Sequence, residues 1–157
     1  MSENRIRKTS TTQPSGPGSA GIWVDSTTPK YNPDGTARNL APFTEAIELL
    51  ASSVDKIGFV APFACKLVRA QEAHSVVGGA GAQIDVKKCT GTQAPASGTT
   101  MLASVFDLTT TINTTVDKTL SSTTADLTLA AGDRIGIDFS GTLTGLVGTL
   151  TLTFVQV

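Results

Sequence analysis

The sequence predicts an all-β protein: an antiparallel β-sandwich of the jelly-roll or immunoglobulin-like type, with an extended N-terminal arm and one short helix. From about residue 57 onward, short apolar and threonine-rich runs follow a period of two, and clusters of Gly, Pro, Ser and Asp separate them. The sequence has no series of helical segments of about ten or more residues that could supply the crossovers of a parallel sheet. The first 45 residues differ in composition, with only 11 apolar residues and five of the seven prolines.

Residues 1–43 are predicted to form an extended arm that does not fold by itself. Ordering the arm would cost about 1–2 kcal/mol per residue in backbone entropy, which its few scattered apolar residues bury too little surface to offset. The arm nevertheless contains the only Trp and the only Tyr of the chain. We therefore expect it to become ordered against a partner; the alternative is that it folds back on its own domain. The residues predicted to contact the partner are Ile22, Trp23, Val24, Tyr31, Arg38, Leu40 and Phe43.

Residues 44–56 are predicted to form a short helix and a connector. Phe43, Ile47, Leu50 and Val54 recur at spacings of four, three and four, which places them on one face of a helix. Thr44 is a suitable N-cap for that helix. The alternative is that the strand pattern of the following residues extends backward into this segment.

Residues 57–157 are predicted to form the β-sandwich, with seven or eight strands. The clearest strand is at residues 134–140, where Ile135, Ile137 and Phe139 alternate with polar or small residues. Threonine supports this prediction, because 18 of the 25 threonines follow position 89 and β-branched residues favour strands. Faces rich in Thr also suit packing against a neighbour, so we expect an oligomer. The other strands are expected at residues 63–73, 84–87, 101–108, 111–120, 127–129 and 150–154.

The composition argues against catalysis, metal binding and nucleic-acid binding. Charged residues make up 16% of the chain and the net charge is -1, whereas a nucleic-acid-binding protein needs a basic surface. His74 is the only histidine; it could act as a base beside Glu72, but we expect it at the surface or at an interface. We therefore predict no enzyme activity, no cofactor and no metal.

The two cysteines and the hydropathy of the chain bear on where the protein is found. Cys65 and Cys89 are expected to be reduced thiols, with a disulfide as the alternative. No window approaches the roughly 18 uninterrupted apolar residues of a membrane span, and the charged N-terminal residues do not suit an export signal. We expect a soluble protein with no membrane partner.

Two stretches resemble a known group of proteins. They are residues 61–70, APFACKLVRA, which a glycine-rich loop follows, and residues 127–138, LTLAAGDRIGID. Both are similar to small β-sandwich structural proteins of tailed bacteriophages, a group that includes capsid decoration proteins, also called cement or head-stabilising proteins, and modules of tail and head fibres. The resemblance covers roughly residues 57–157.

The resemblance implies a protein without catalytic residues that trimerises on the outer face of an icosahedral shell, near threefold positions. Its partner would be the phage major capsid protein, and it would be made in the bacterial host cytoplasm before joining the virion. We therefore expect a structural virion protein that binds the outer capsid surface and stabilises the shell by bridging neighbouring capsomers. Two alternatives remain: a receptor- or carbohydrate-binding module of a phage fibre or bacterial surface protein, and another virion part such as a tail-tube or connector subunit.

Overall fold

The computed structural model describes residues 42–157, which form two antiparallel β-sheets of five strands each. A 3-10 turn covers Pro95–Ser97 and a single helical turn, α1, covers Thr124–Leu127. The strands are β1 Phe43–Leu50, β2 Lys56–Val60, β3 Cys65–Val76, β4 Gln83–Cys89, β5 Thr99–Thr100, β6 Phe106–Asp107, β7 Val116–Asp117, β8 Thr128–Leu129, β9 Arg134–Ser140 and β10 Val147–Gln156.

The order of the strands is that of a jelly roll. Sheet 1 has the order β1-β10-β3-β7, with β8 also paired to β3, and sheet 2 has the order β2-β9-β4-β5, with β6 also paired to β4. β7 and β8 pair with different stretches of β3, and β5 and β6 with different stretches of β4, so each pair fills one position. Counting β5 with β6 as one position, and β7 with β8 as one position, gives eight positions numbered in chain order. Sheet 1 then has the order 1-8-3-6 and sheet 2 the order 2-7-4-5, which is the jelly-roll arrangement. The predicted antiparallel sandwich is confirmed, and the topology is the first of its two predicted types.

One hydrophobic core lies between the two sheets. Alternate residues of the long strands point into it, because successive side chains of a strand point to opposite faces. The alternation predicted for residues 134–140 and 150–154 is found in β9 and β10, whose core-facing residues are buried. The core-facing residues of the central strands are Leu67, Ala70, Ile84, Val86, Ile135, Ile137, Leu150, Leu152 and Phe154.

The helix predicted over Thr44–Val54 is wrong, because this segment contains strand β1. β1 pairs with β10 along its whole length, from Phe43 opposite Phe154 to Leu50 opposite Val147. Ile47 and Leu49 are buried while Ala46 and Glu48 are exposed, and Val54 is 71% exposed. The spacing of three between Ile47 and Leu50 suits a helix, whereas the strand directs Ile47 and Leu49 into the core. Pairing with β10 supplies stability that an isolated short helix lacks. The α-helix found among the described residues is instead α1.

Two other predicted strands are much shorter than expected. The apolar run at residues 101–108 contributes only β6, and the polar run at residues 111–120 contributes only β7. The backbone between them leaves the extended conformation at Thr111 and Asn113, where φ is 30° and 57°. A strand cannot continue through residues in this left-handed region.

The edge position of β1 generates a test of strand against helix. The carbonyl oxygen of Glu48 accepts a hydrogen bond of 2.8 Å from Lys56 Nζ, so the even-numbered residues of β1 direct their backbone groups away from β10. Ala46→Pro therefore removes an N–H on the free edge, whereas Glu45→Pro removes one that faces β10. We expect Glu45→Pro to lower the free energy of unfolding by about 1–3 kcal/mol more than Ala46→Pro.

Urea denaturation of both variants and of the wild type measures this difference. In the predicted helix both positions would lie in the first turn after the Thr44 N-cap, where proline is tolerated, so both variants would lose little stability. Equal losses of stability in the two variants would therefore contradict the strand.

Candidate docking surface

The described chain begins at an aromatic cluster that joins the two sheets. The ring centroid of Phe43 lies 5.3 Å from that of Phe154, 5.6 Å from that of Phe63 and 6.0 Å from that of Phe59. Phe59 and Phe154 are stacked, with centroids 4.8 Å apart. These separations are typical of favourable aromatic pairs. The cluster therefore links the first residue of β1 to strands of both sheets.

The structure thus places one of the seven predicted docking residues within the sandwich. Phe43 is the first residue of β1, and its half-buried ring contacts other aromatic residues of the same chain. The other six predicted residues lie outside the described residues, as does the rest of the predicted arm. Their contact with a partner stays a prediction.

The outer face of sheet 1 carries several threonines, and its charged residues include Glu48, Arg69 and Asp117, the last two opposite Thr153 and Gln71 in the register. We call part of it the threonine face, and the residues of that part alternate along β1, β10 and β3 with residues that point into the core. The strand register aligns Thr44 with Thr153, and Ala46 with Thr151. Glu48 is the only ionisable residue of the set. The threonine face consists of Thr44, Ala46, Glu48, Gln71, Ala73, Thr149, Thr151 and Thr153.

Arg69 and Asp117 form an ion pair next to the residues of the threonine face. Arg69 Nε donates to Asp117 Oδ1 at 2.8 Å and Arg69 Nη2 to Asp117 Oδ2 at 3.0 Å, which gives a two-point contact between β3 and β7. The hydrogen bond from Arg69 lowers the pKa of Asp117 and raises that of Arg69. Both side chains are more than half exposed, so solvent screens the pair and it contributes little to stability. Its effect on the surface is that the two charges cancel locally.

The outer face of sheet 2 has a different character, because it carries ions and the segment around the 3-10 turn covers part of it. Lys87 Nζ lies 2.6 Å from Asp138 Oδ2 and also donates to the Ala96 carbonyl oxygen at 2.9 Å. The hydrogen bond to Asp138 is the main cause that raises the pKa of Lys87. A β carbon on Gly136 would approach Pro95 Cα to 2.7 Å, so only glycine lets the turn lie against this strand.

Glu72 and His74 are the buried polar or charged residues of the core within residues 42–157. His74 was predicted at the surface or at an interface, but it lies in the core of the same chain, 2% exposed, with Nδ1 2.8 Å from Oε1 of the equally buried Glu72. Within residues 42–157, no group of three or more His, Cys, Asp or Glu side chains is placed to hold a metal ion. In the same range, no helix combines the length and the apolar character needed to cross a membrane.

The cysteines are both buried and free. Cys65 lies in β3 of sheet 1 and Cys89 in β4 of sheet 2, so they belong to different sheets. The prediction of two reduced thiols is confirmed. Burial is the largest cause that raises the pKa of the Cys65 thiol, which keeps it protonated and unreactive.

Comparison with known proteins supports the fold. The sequence matches no protein family and no curated protein. In structure, the chain is similar to a chain of the capsid of Ralstonia phage GP4, with a TM-score of 0.54 and 18% sequence identity, over 80% of this chain and 88% of that chain. At this identity the likeness is one of fold. The chain therefore shares a β-sandwich architecture with a chain of a phage capsid.

The aromatic cluster generates a prediction about Phe43. Because its ring contacts three other phenylalanines, Phe43→Ala is expected to lower the free energy of unfolding by about 2–4 kcal/mol. Thr44→Ala is the matched control. Thr44 follows Phe43 in β1 but is exposed on the threonine face, so this substitution should change the free energy of unfolding by less than about 1 kcal/mol. Guanidinium denaturation followed by circular dichroism measures both. If Phe43→Ala is as stable as the wild type, the Phe43 ring does not stabilise the sandwich and is available for contact with a partner.

Proposed function

We propose that this protein is a structural component of a phage virion that binds the outer surface of the capsid as a trimer and stabilises it by bridging neighbouring capsomers. The observation that carries the proposal is the fold shared with a chain of the capsid of Ralstonia phage GP4. Because one fold serves many functions, two further features support the choice. They are the composition of residues 1–41 and the threonine face.

Residues 1–41 supply the proposed attachment to the shell. This segment contains Trp23 and Tyr31, while residues 42–157 contain no Trp or Tyr. Large aromatic side chains are the residue types that most often dominate binding at protein interfaces. The same distribution argues against a carbohydrate site on the sandwich, because sugar recognition commonly uses exposed Trp or Tyr on a rigid scaffold.

The threonine face supplies the proposed contact between copies. Apart from Glu48 it presents neutral side chains, which cost less to dehydrate than charged ones, provided that the neighbour hydrogen-bonds the threonine hydroxyls and the Gln71 amide. A trimer would bring three attachment segments to one place on the shell. Once the first segment binds, the other two act at high effective concentration, so weak individual contacts give a strong attachment.

The attachment predicts a large effect of a single substitution. Trp23→Ala is expected to weaken binding to shells that lack this protein by about 2 kcal/mol or more, which is roughly 30-fold. Cosedimentation of purified protein with such shells measures the affinity. Phe63→Leu, in the aromatic cluster of the sandwich, is the control and should leave the affinity unchanged. Unchanged binding by Trp23→Ala would remove this residue from the attachment.

A deletion tests the segment as a whole. Residues 42–157 form a compact unit with their own core, so a chain that begins at Pro42 is expected to fold. It should lose most of its affinity for the shell. Full binding by the shortened chain would place the capsid contact on the sandwich.

The oligomeric state is a separate prediction. Light scattering is expected to give three times the 16.2 kDa of one chain. Thr151→Lys, in the middle of the threonine face, should shift the mass toward that of a monomer, because three like charges would be buried together at the interface. The control is a lysine placed on the exposed loop at Ser52. A trimer that tolerates Thr151→Lys would require a different surface for the contact between copies.

A further inference from the structure

The core of the sandwich contains a hydrogen-bonded chain of three groups that reaches from β3 to a loop. His74 Nδ1 lies 2.8 Å from Glu72 Oε1, and His74 Nε2 contacts the carbonyl oxygen of Thr110. Glu72 is 1% exposed and His74 2%. A second hydrogen bond, from the Asn113 N–H to the His74 carbonyl oxygen at 2.7 Å, ties the same loop to β3.

The hydrogen-bonding capacities of Glu72, His74 and the Thr110 carbonyl group fix how many protons these three groups must hold between them. A carbonyl oxygen only accepts, so His74 Nε2 must carry a hydrogen to bond Thr110. The contact between Nδ1 and Oε1 needs one further proton, carried either by the imidazole or by the carboxyl group. Two arrangements satisfy both bonds: a charged imidazole beside a carboxylate, and a neutral imidazole beside a protonated carboxyl. Both contain the same shared proton.

Loss of the shared proton to solvent breaks one of the two bonds. The neutral imidazole then has a single N–H, which can donate to Glu72 or to Thr110 but not to both. If it stays on Nε2, an ionised carboxylate faces the lone pair of Nδ1. If it moves to Nδ1, the lone pair of Nε2 faces the Thr110 carbonyl oxygen. Within residues 42–157, Glu72 Oε2 has no hydrogen-bond partner that could compensate.

The loop held by His74 is under backbone strain. It connects β6 to β7, and its residues Thr111 and Asn113 adopt positive φ values of 30° and 57°. Such conformations persist where surrounding contacts hold them. Ile112 lies between these two residues and is 48% exposed, so the contacts to His74 hold an apolar side chain at the surface.

The charged groups around the pair come from two neighbouring elements. Asp107 in β6 is close enough that His74 is one of the minor causes that lower the pKa of Asp107, after its hydrogen bonds from Thr109 and the charge of Lys118. Lys118 follows β7 and places Nζ 5.6 Å from the centre of the Phe106 ring. Opposite Glu72, β10 presents Leu150, and residues 108–115 contain no ionisable side chain.

We propose that the shared proton of the Glu72–His74 pair controls the attachment of the loop of residues 108–115: the Thr110 carbonyl group is held to His74 while the pair keeps that proton and is released when the proton leaves, whereas the bond from the Asn113 N–H does not depend on it. This inference does not depend on the proposed function. Release is expected as the pH rises. The shared proton is bound in the folded chain, whereas an exposed imidazole in the unfolded chain gives it up near pH about 6.5.

The sign of the pH dependence follows from this difference. Where the folded chain binds one proton more than the unfolded chain, stability decreases as the pH rises. Burial, the largest cause, raises the pKa of Glu72, and the bond to His74 acts in the opposite direction. The raised pKa of Glu72 acts with the same sign. Its contribution to the free energy of unfolding is complete at low pH and is lost as the pH rises through the pKa of Glu72 in the folded chain.

Glu72→Gln provides the sharpest test. The glutamine amide can donate to Nδ1 of a neutral imidazole, while the Nε2 hydrogen still bonds Thr110, so both bonds form without a shared proton. In the wild type, the folding equilibrium constant should fall up to tenfold per pH unit above about pH 6.5 relative to Glu72→Gln. The amide signals of residues 109–115 should shift in the wild type at the higher pH at which the folded chain loses the shared proton and this fall levels off, and they should stay constant in the variant.

Urea denaturation and nuclear magnetic resonance of the full-length chain between pH 5 and 9 measure these two effects. Asp117→Asn, which changes an exposed carboxylate on the opposite face of the same sheet, is the control and should retain the wild-type profile. Equal pH dependence in wild type and Glu72→Gln would overturn the proposal, as would a titration that leaves the loop signals unmoved. If Glu72→Gln does not fold, the nuclear magnetic resonance signals of the ring nitrogens of wild-type His74 test the proposal instead. Finding that Nε2 carries no hydrogen at neutral pH while the loop keeps its position would overturn the proposal.

Discussion

The architecture depends on the last two strands of the chain, which form the middle of both sheets. β10 hydrogen-bonds to β1 on one side and to β3 on the other, and β9 does the same for β2 and β4. Neither sheet can be completed before residues 134–156 are in place. The pairings that hold the fold together therefore join residues far apart in sequence, and closing such loops costs entropy before the contacts reward it. A fold of this kind is expected to form slowly and cooperatively.

The central strands were predictable because one face of each is buried and the other exposed. In β9 the alternation of Ile135 and Ile137 with polar or small residues was visible in the sequence, and β10 and β4 showed the same pattern. β1 was predicted only as the alternative to a helix, because the spacing of Phe43, Ile47 and Leu50 favours a helix. Only the complementary strand β10, at the other end of the chain, distinguishes the two. Among the short strands, β8 was predicted within residues 127–129, and β6 and β7 were predicted only as parts of longer runs. β5 was not predicted, since it is a two-residue pairing set by the neighbouring long strand β4.

The candidate surfaces were predictable to a smaller extent. The abundance of threonine indicated strands with uncharged faces, and the register places four of the threonines, Thr44, Thr149, Thr151 and Thr153, on the outer face of sheet 1. The environment of His74 could not be read from the sequence, because the carbonyl group that binds it belongs to Thr110, 36 positions away. The same holds for Phe43, whose neighbours Phe59, Phe63 and Phe154 come from three other parts of the chain. Local patterns predict which residues are buried, whereas their partners depend on topology.

The distribution of charge limits what can hold the proposed attachment segment on a shell. Residues 42–157 contain seven Lys and Arg and ten Asp and Glu, a net charge of −3, whereas residues 1–41 contain five and three, a net charge of +2. Opposite net charges would attract the segment to its own sandwich as readily as to an acidic shell. Salt screens such attraction between exposed groups beyond about 8 Å at physiological ionic strength, so charge alone gives little preference for the shell. The preference must come from contacts that the sandwich cannot offer, which requires apolar anchors such as Trp23 to fill pockets of the partner.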